Sequence, residues 1–185
     1  MPYEQGDLPF GVNDTKVATF NATDDYGSLT DVMSVEMARG TAQLVSAMAR
    51  GDDRITGTAA VLEGVELQLR FSGLNLTMLA VLTGKSVTTI SSVKQLQGVG
   101  GDPMPYFGAI IKANGAGADD AWLFLPKCKI MSNYVFFQGE YGAFTSPELT
   151  IQAIDDETWG LYNIITHPAR LAITVMPPAN IAEVA

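Results

Sequence analysis

The sequence is poor in the residues that build disulfide frameworks and nucleophilic active sites. It contains one cysteine, Cys128, and one histidine, His167, among 185 residues. A single cysteine excludes an internal disulfide, and a Cys–His nucleophile pair is the weaker of two interpretations. The stronger one points Cys128 inward between two outward lysines and leaves His167 in an apparent loop before a proline. We therefore expect a protein that is not an enzyme and that holds no metal and no cofactor.

Positive charge is also scarce. Eleven lysines and arginines stand against 20 aspartates and glutamates, which gives a formal net charge of −9. Nonspecific attraction to nucleic acid phosphates or to anionic lipid needs a basic face. The charge balance therefore disfavours a nucleic-acid-binding protein and a membrane-surface protein.

Long apolar runs are missing as well. The densest short run, residues 121–126, ends at Pro126 and falls far below the roughly 18 residues of a membrane helix. The opening Met-Pro-Tyr-Glu has neither the basic residues nor the apolar stretch of a signal peptide. We expect synthesis in the cytoplasm and no membrane partner.

Core-forming residues are plentiful, because 47% of the chain is hydrophobic and only 17% is charged. This composition predicts one folded domain spanning residues 1–185. Proline and glycine interrupt the first residues, so we expect an N-terminal arm at about residues 1–15. An extended C-terminal tail is expected at about residues 168–185.

Strand signals dominate the rest of the chain. The one predicted helix runs from Asn75 to Thr83, with Ser72 or Asn75 as its N-cap and Gly84 at its end. About nine strands surround it, and one of them is predicted to run unbroken from Ser86 to Val93. The sequence therefore predicts a mainly β (α+β) fold, in which two packed antiparallel sheets form a sandwich or partial barrel with one short helix.

A long hairpin between Val32 and Phe71 is the most informative feature. Its turn is predicted at Gly51, Asp52, Asp53 and Arg54, and its second arm would span roughly 60 Å at about 3.4 Å per residue. A change of phase in the first arm predicts a bulge at Arg39-Gly40. Apolar and polar residues alternate along the second arm, which predicts one buried and one solvent-facing side. The predicted buried side consists of Val65, Leu67, Leu69 and Phe71. The predicted solvent-facing side consists of Glu66, Gln68 and Arg70. Such a strand outruns its own core, which indicates assembly with other copies.

Acidic pairs and a glycine-rich loop are the remaining candidate sites. The acidic pairs at 24–25, 52–53 and 119–120 and the triplet 155–157 offer oxygens to a hard cation, but none has calcium-loop spacing. Solvated turns explain them equally simply. Gly98-Val99-Gly100-Gly101 lacks the helix that a phosphate-binding loop needs, because prolines follow it. We expect no ligand at these places.

Four short motifs, taken in their order, resemble one known family. They are GVNDTKVA at residues 11–18, RGDDR at 50–54, LEGVE at 62–66 and LPKCKI at 125–130, with a helix ending in LTG between the second and the fourth. In this order they resemble the major tail tube proteins of bacteriophages with long, non-contractile tails. The likeness extends from about residue 11 to about residue 166.

The resemblance implies a structural virion protein of the tail. Such subunits form hexameric rings that stack into a tube for genome ejection, with partners that include the tail terminator, tape measure and distal tail proteins. DNA would pass through without sequence-specific binding. The turn residues Gly51, Asp52, Asp53 and Arg54 would then contact the next ring. The candidates for lining the channel are Ser34, Glu36, Thr56, Thr58, Glu66, Gln68 and Arg70.

Two other classes stay open at this point. A tube protein of a related contractile machine, such as a secretion system or a phage-like bacteriocin, would share the subunit architecture. A β-sandwich binding or decoration module would share the strands but form no tube. Neither is separated from the tail tube by the sequence.

Overall fold

A computed structural model describes residues 9–22, 25–32, 34–51, 54–72, 75–115, 120–135, 141, 146–167 and 172–177. Within them lie eleven strands and one helix. The first five strands are β1 Pro9–Ala22, β2 Asp25–Tyr26, β3 Thr30–Asp31, β4 Val35–Gly51 and β5 Arg54–Phe71. Helix α1 Leu76–Thr83 precedes β6 Val87–Ile90, β7 Val93–Leu96, β8 Phe107–Gly115, β9 Asp120–Lys129, β10 Glu148–Ala153 and β11 Asn163–His167.

Nine of these strands form one antiparallel sheet. Its order is β2-β1-β8-β9-β10-β5-β4, with β3 beside β1 and β11 beside β9. Strands β6 and β7 form a separate two-stranded sheet. The prediction of a mainly β, antiparallel, sandwich-like fold with one short helix is therefore confirmed.

The large sheet curls around its core. Strands β1 and β4 contact each other although they lie near opposite ends of the strand order. Alternate side chains from β1, β5, β8, β9 and β10 thereby meet inside the curl, among them Val17, Leu67, Phe107, Leu125 and Ile151, all 0% exposed. This arrangement buries apolar side chains that a flat sheet would leave in water.

A second cluster covers the opposite face of β8 and β9. Ile110, Trp122 and Phe124 are buried there together with Ile173. The Phe124 ring packs edge-to-face against Trp159, with centroids 6.1 Å apart. Strands β8 and β9 are therefore buried on both faces, and they form the centre of the molecule.

The helix begins and ends where the sequence predicts. The Asn75 side chain is the N-cap, and its Oδ1 accepts hydrogen bonds from the backbone N–H groups of Thr77 at 3.0 Å and Met78 at 3.2 Å. Gly84 ends the helix in the left-handed conformation, with φ 69°. The apolar side of α1, which includes Leu79 and Leu82, packs on the main core.

Several predicted boundaries are wrong. The strand expected from Ser86 to Val93 is a hairpin, because Ser91 and Ser92 adopt positive φ of 48° and 71° and reverse the chain. Residues 9–15 of the expected N-terminal arm belong to β1 and pair with β8. Residues 1–8, 168–171 and 178–185 of the expected arm and tail lie outside the described residues. No helix in the described part of the chain is long and apolar enough to cross a membrane.

Candidate assembly surface of the long hairpin

Strands β4 and β5 form the long hairpin, with 17 and 18 residues. The inner half of β5 is anchored in the core, since Val65, Leu67, Leu69 and Phe71 are at most 4% exposed. The predicted buried face is therefore confirmed. From Glu63 back to Thr58, every side chain of β5 is exposed. The outer half of the hairpin thus extends beyond the core of its own subunit.

The predicted solvent-facing side of β5 is confirmed in the inner half of the hairpin. Glu66, Gln68 and Arg70 are half-buried and lie opposite the buried row on the same strand. Strand β10 continues this face, because Gln152 pairs with Glu66 and Glu148 with Arg70. We call this surface the polar face, and its other members are Arg39, Thr41, Gln43 and Thr150.

Hydrogen bonds connect the side chains of the polar face across three strands. The Gln68 amide donates to Glu66 at 2.9 Å, and the Gln152 amide donates to Gln43 Oε1 at 2.8 Å. The Arg70 guanidinium Nε donates to Glu148 Oε1 at 2.9 Å. Charges of both signs therefore alternate on this face, which is closer to neutral than the whole chain.

Three bulges shift the pairing of β4 with β5. Arg39 and Gly40 pair regularly with Gln68 and Leu67, so the bulge predicted at that dipeptide is wrong. The register instead skips Glu36 on β4, and Glu63 and Thr56 on β5. Each bulge adds one unpaired residue, bends the ribbon and changes the phase of the strand that carries it.

The bulge at Glu63 decides which outer residues share a face. Gln43 pairs with Gly64 and Leu44 with Leu62, so the alternation of β5 changes phase at this point while that of β4 continues. Leu44, Leu62, Met48 and Thr58 continue the core side, and we call the apolar three, Leu44, Met48 and Leu62, the core-side row. Val45 and Val61 lie on the opposite side, which continues the polar face.

The outer half is apolar on both sides. Leu44, Met48 and Val61 are 65%, 60% and 65% exposed, and Val45 is 51% exposed. Between them stand Ser46, Ala47, Ala59 and Ala60, none of which is charged. Large exposed apolar patches on a folded protein mark contact sites. We therefore expect another protein surface to pack against this part of the hairpin.

The outer edge of β4 is also open. Strand β4 ends the strand order of the large sheet, and no other strand in the described ranges pairs with it on that side. A long, apolar edge strand is a template for pairing with another chain. The open edge and the two apolar sides therefore lie on the same element, the outer half of the long hairpin.

The predicted channel-lining residues fall into two groups. Glu66, Gln68 and Arg70 share the polar face, and the exposed Glu36 is the bulge residue next to Met37, which pairs with Arg70. Ser34 lies in the turn before β4 with φ 56°. Thr58 lies on the core side, because the Glu63 bulge separates it from Glu66, and Thr56 is the unpaired residue of another bulge.

The predicted ring-contact turn is described only at its ends. Gly51 is the last residue of β4 and pairs with Arg54, the first residue of β5. Asp52 and Asp53 lie outside the described residues. The position of the turn at the far end of the hairpin agrees with the sequence, and its contact with another ring stays a prediction.

Sequence reasoning missed the contribution of β10 to the polar face. The signal was present, because Glu148, Thr150 and Gln152 alternate with buried Leu149, Ile151 and Ala153. The alternation does not show which strand β10 pairs with. That β10 pairs with β5 depends on contacts between residues about 80 positions apart.

The side chains that could take part in catalysis are buried in the interior or lie apart from one another. The Cys128 thiol is fully buried, and burial raises its pKa, which keeps it protonated and unreactive. His167 is the last residue of β11, not a loop residue as expected, and its backbone pairs with Asp120. Lys112 and Asp120 form a buried ion pair at 2.9 Å. In the described residues, no three His, Cys, Asp or Glu side chains cluster as metal ligands would.

No protein-family model matches the chain, and no curated protein matches it significantly.

Proposed function

We propose that this protein is a structural subunit that assembles with copies of itself into rings, and that the rings stack into a tube. The observation that carries the proposal is the outer half of the long hairpin. Its large side chains Leu44, Val45, Met48, Val61 and Leu62 are apolar and exposed on both sides, and the edge of β4 is open. A surface of this kind is typical of a contact site for another protein chain, and the partner we propose is a second copy of this chain.

The family resemblance refines the kind of assembly. The order of the four motifs and the helix ending in LTG resembles the tail tube proteins of phages with long, non-contractile tails. In that reading six copies form each ring, and the hairpins of all copies contribute to one closed barrel that has no free edges. The function we propose is a conduit through which the phage genome leaves the capsid, in the tail of the virion.

The polar face supplies the wall of that conduit. Its side chains come from three neighbouring strands, and its charges pair with each other, as Arg70 does with Glu148. A basic wall would bind DNA phosphates, whereas a wall of paired charges and amides attracts them weakly. We therefore assign Glu66, Gln68 and Arg70 to the channel, and Glu36 to its rim.

Electron microscopy of the purified, concentrated protein tests this proposal. We expect tubes of uniform bore with a regular ring repeat. Particles that stay monomeric at millimolar concentration, also in the presence of short tube seeds, would contradict it and favour a binding or decoration module. In native particles, a contractile sheath around the tube would assign the chain to a contractile machine.

A further inference from the structure

An apolar groove opens at the foot of the hairpin. Its volume is about 370 Å³, and it is lined by residues of β1, β4 and β5 and of the ends of β8, β9 and β11. None of the described residues that line it is charged. On one side the wall is made of the small residues Ala38, Gly40 and Ala42, and on the other Ile164 and Tyr162 are 69% and 38% exposed. The groove is therefore open to the surface.

Small residues keep the groove open. A Cβ added to Gly40 would lie 3.2 Å from Leu123 Cδ2, so the two walls already approach closely at that point. Next to it, Ala38 and Ala42 leave space that larger side chains would fill. The groove thus offers a shape that accepts protruding aliphatic side chains.

The core-side row of the hairpin has matching chemistry. Leu44, Met48 and Leu62 are large, aliphatic or thioether side chains with exposures of 65%, 60% and 37%. The row begins next to the subunit's own groove, because Leu44 follows the groove-lining Ala42 on the same side of β4. It leads away from the groove, since the extended strand carries Met48 about 20 Å from Ala42 at about 3.4 Å per residue, too far to fold back into it.

We propose that the core-side row of one copy fills the groove of the next copy, and this inference rests on the proposed ring assembly. Each copy carries a net charge of −9, so two copies repel each other overall, and a contact between uncharged surfaces adds no local repulsion to this. Row and groove are both uncharged, and they are two different surfaces that follow one another along the same side of the hairpin. A contact between two different surfaces is heterologous, and it closes into a ring or continues as a filament.

Disulfide trapping between two differently tagged copies tests the contact. One full-length copy carries Leu44→Cys and the other carries Ile164→Cys, while the native Cys128 stays buried in both. We expect the mixed disulfide to form at least about tenfold faster than in the control pair, in which Val45→Cys replaces Leu44→Cys on the opposite side of the strand. Equal rates for the two pairs contradict the proposal. Faster trapping from Ile90→Cys contradicts it too, because the β6–β7 hairpin would then be the occupant.

Complementation gives an independent result. Leu44→Asp and Ile164→Asp change exposed positions, so we expect both variants to fold and to remain monomeric, because each has lost one half of the contact. Mixed together, they should form one-to-one dimers through the intact row of one and the intact groove of the other, as measured by light scattering. Ile90→Asp, which changes an equally exposed aliphatic side chain (66%) on β6 outside both row and groove, is the matched control and should still self-associate. A mixture that stays monomeric overturns the proposal.

The two proposals can fail separately. If the wild-type protein forms tubes but the trapping shows no preference for Leu44, the groove contact is wrong and the tube function stands. If Leu44 is trapped selectively but microscopy shows no tubes, the contact stands and the tube function is wrong.

Discussion

Cys128 shows how burial in the core makes a cysteine thiol unreactive. Its side chain is 0% exposed within the main core, and burial raises the pKa of its thiol. In the unfolded chain the thiol ionises near its ordinary pKa of 9.0. The stability that the neutral buried thiol contributes is therefore fully present below about pH 9 and is lost as the pH rises above it.

This gives a pH prediction for a single variant. Above about pH 9 the wild type should lose free energy of unfolding more steeply than Cys128→Ala, by up to about 1.4 kcal/mol per pH unit. Urea denaturation between pH 7 and pH 10.5, with a reducing agent present, measures the two slopes. Parallel slopes, or rapid reaction of the native thiol with a thiol reagent at pH 8, would show that Cys128 is accessible.

The cap residue Asn75 gives a second prediction. Its Oδ1 accepts from two helix N–H groups, and its Nδ2 donates to the Asp31 carbonyl at 3.1 Å. Asn75→Ala should lower the free energy of unfolding by about 1 kcal/mol, and Tm by about 2–4 °C. Asn75→Asp keeps the acceptor and should lose less. Calorimetry on the three proteins decides, and equal losses for both variants would argue against the cap as the cause.

At the scale of elements, the hairpin is bent by residues that make no regular pair. Deleting Glu63 removes one bulge while Leu62 stays opposite Leu44, so both faces of the outer half are preserved. We expect the monomer to keep its stability to within about 1 kcal/mol. The direction of the outer half changes, so the critical concentration for assembly should rise at least about tenfold.

Sedimentation measures that deletion variant against Glu63→Ala, which keeps the bulge. Assembly should be normal for the substitution and weak for the deletion. If both assemble as well as the wild type, the bend at Glu63 has no part in directing the hairpin to its partner.

Much of the element pattern follows from local sequence. The alternation from Val65 to Phe71 predicts the buried face correctly, and Asn75 and Gly84 predict the limits of α1, since both signals act within a few residues. The bulges escape prediction because Glu63 and Thr56 look like ordinary strand residues. Ser91 and Ser92 carry no glycine or asparagine signal for the left-handed turn that separates β6 from β7.

At the scale of the whole molecule, the order of the strands in the large sheet could not be predicted from the sequence. Strands β1 and β8 pair across about 100 residues, and β10 inserts between β9 and β5. These pairings decide that Glu148 and Gln152 join Glu66 on one surface. The strand signals along the chain predicted a mainly β domain without placing β10 on the polar face, and the assembly itself stays a proposal.

The polar face yields a prediction for complete particles. Glu66→Lys adds positive charge to a face that already holds Arg39 and Arg70, whereas Glu66→Gln removes charge but keeps an acceptor for Gln68. In tails that assemble normally, we expect the lysine variant to slow DNA ejection and the glutamine variant to leave it nearly unchanged. Ejection kinetics in vitro measure both. Wild-type rates for the lysine variant would remove Glu66 from the channel.

The central claim is that other copies cover the outer half of the hairpin, and hydrogen exchange tests it most directly. Exchange of the peptides covering residues 41–63 is compared between dilute protein and the assembled form. We predict that the β4 amides on the open edge, which exchange fast in the monomer, become strongly protected on assembly. Fast exchange of this segment in the assembled form, with new protection only elsewhere, would contradict the claim.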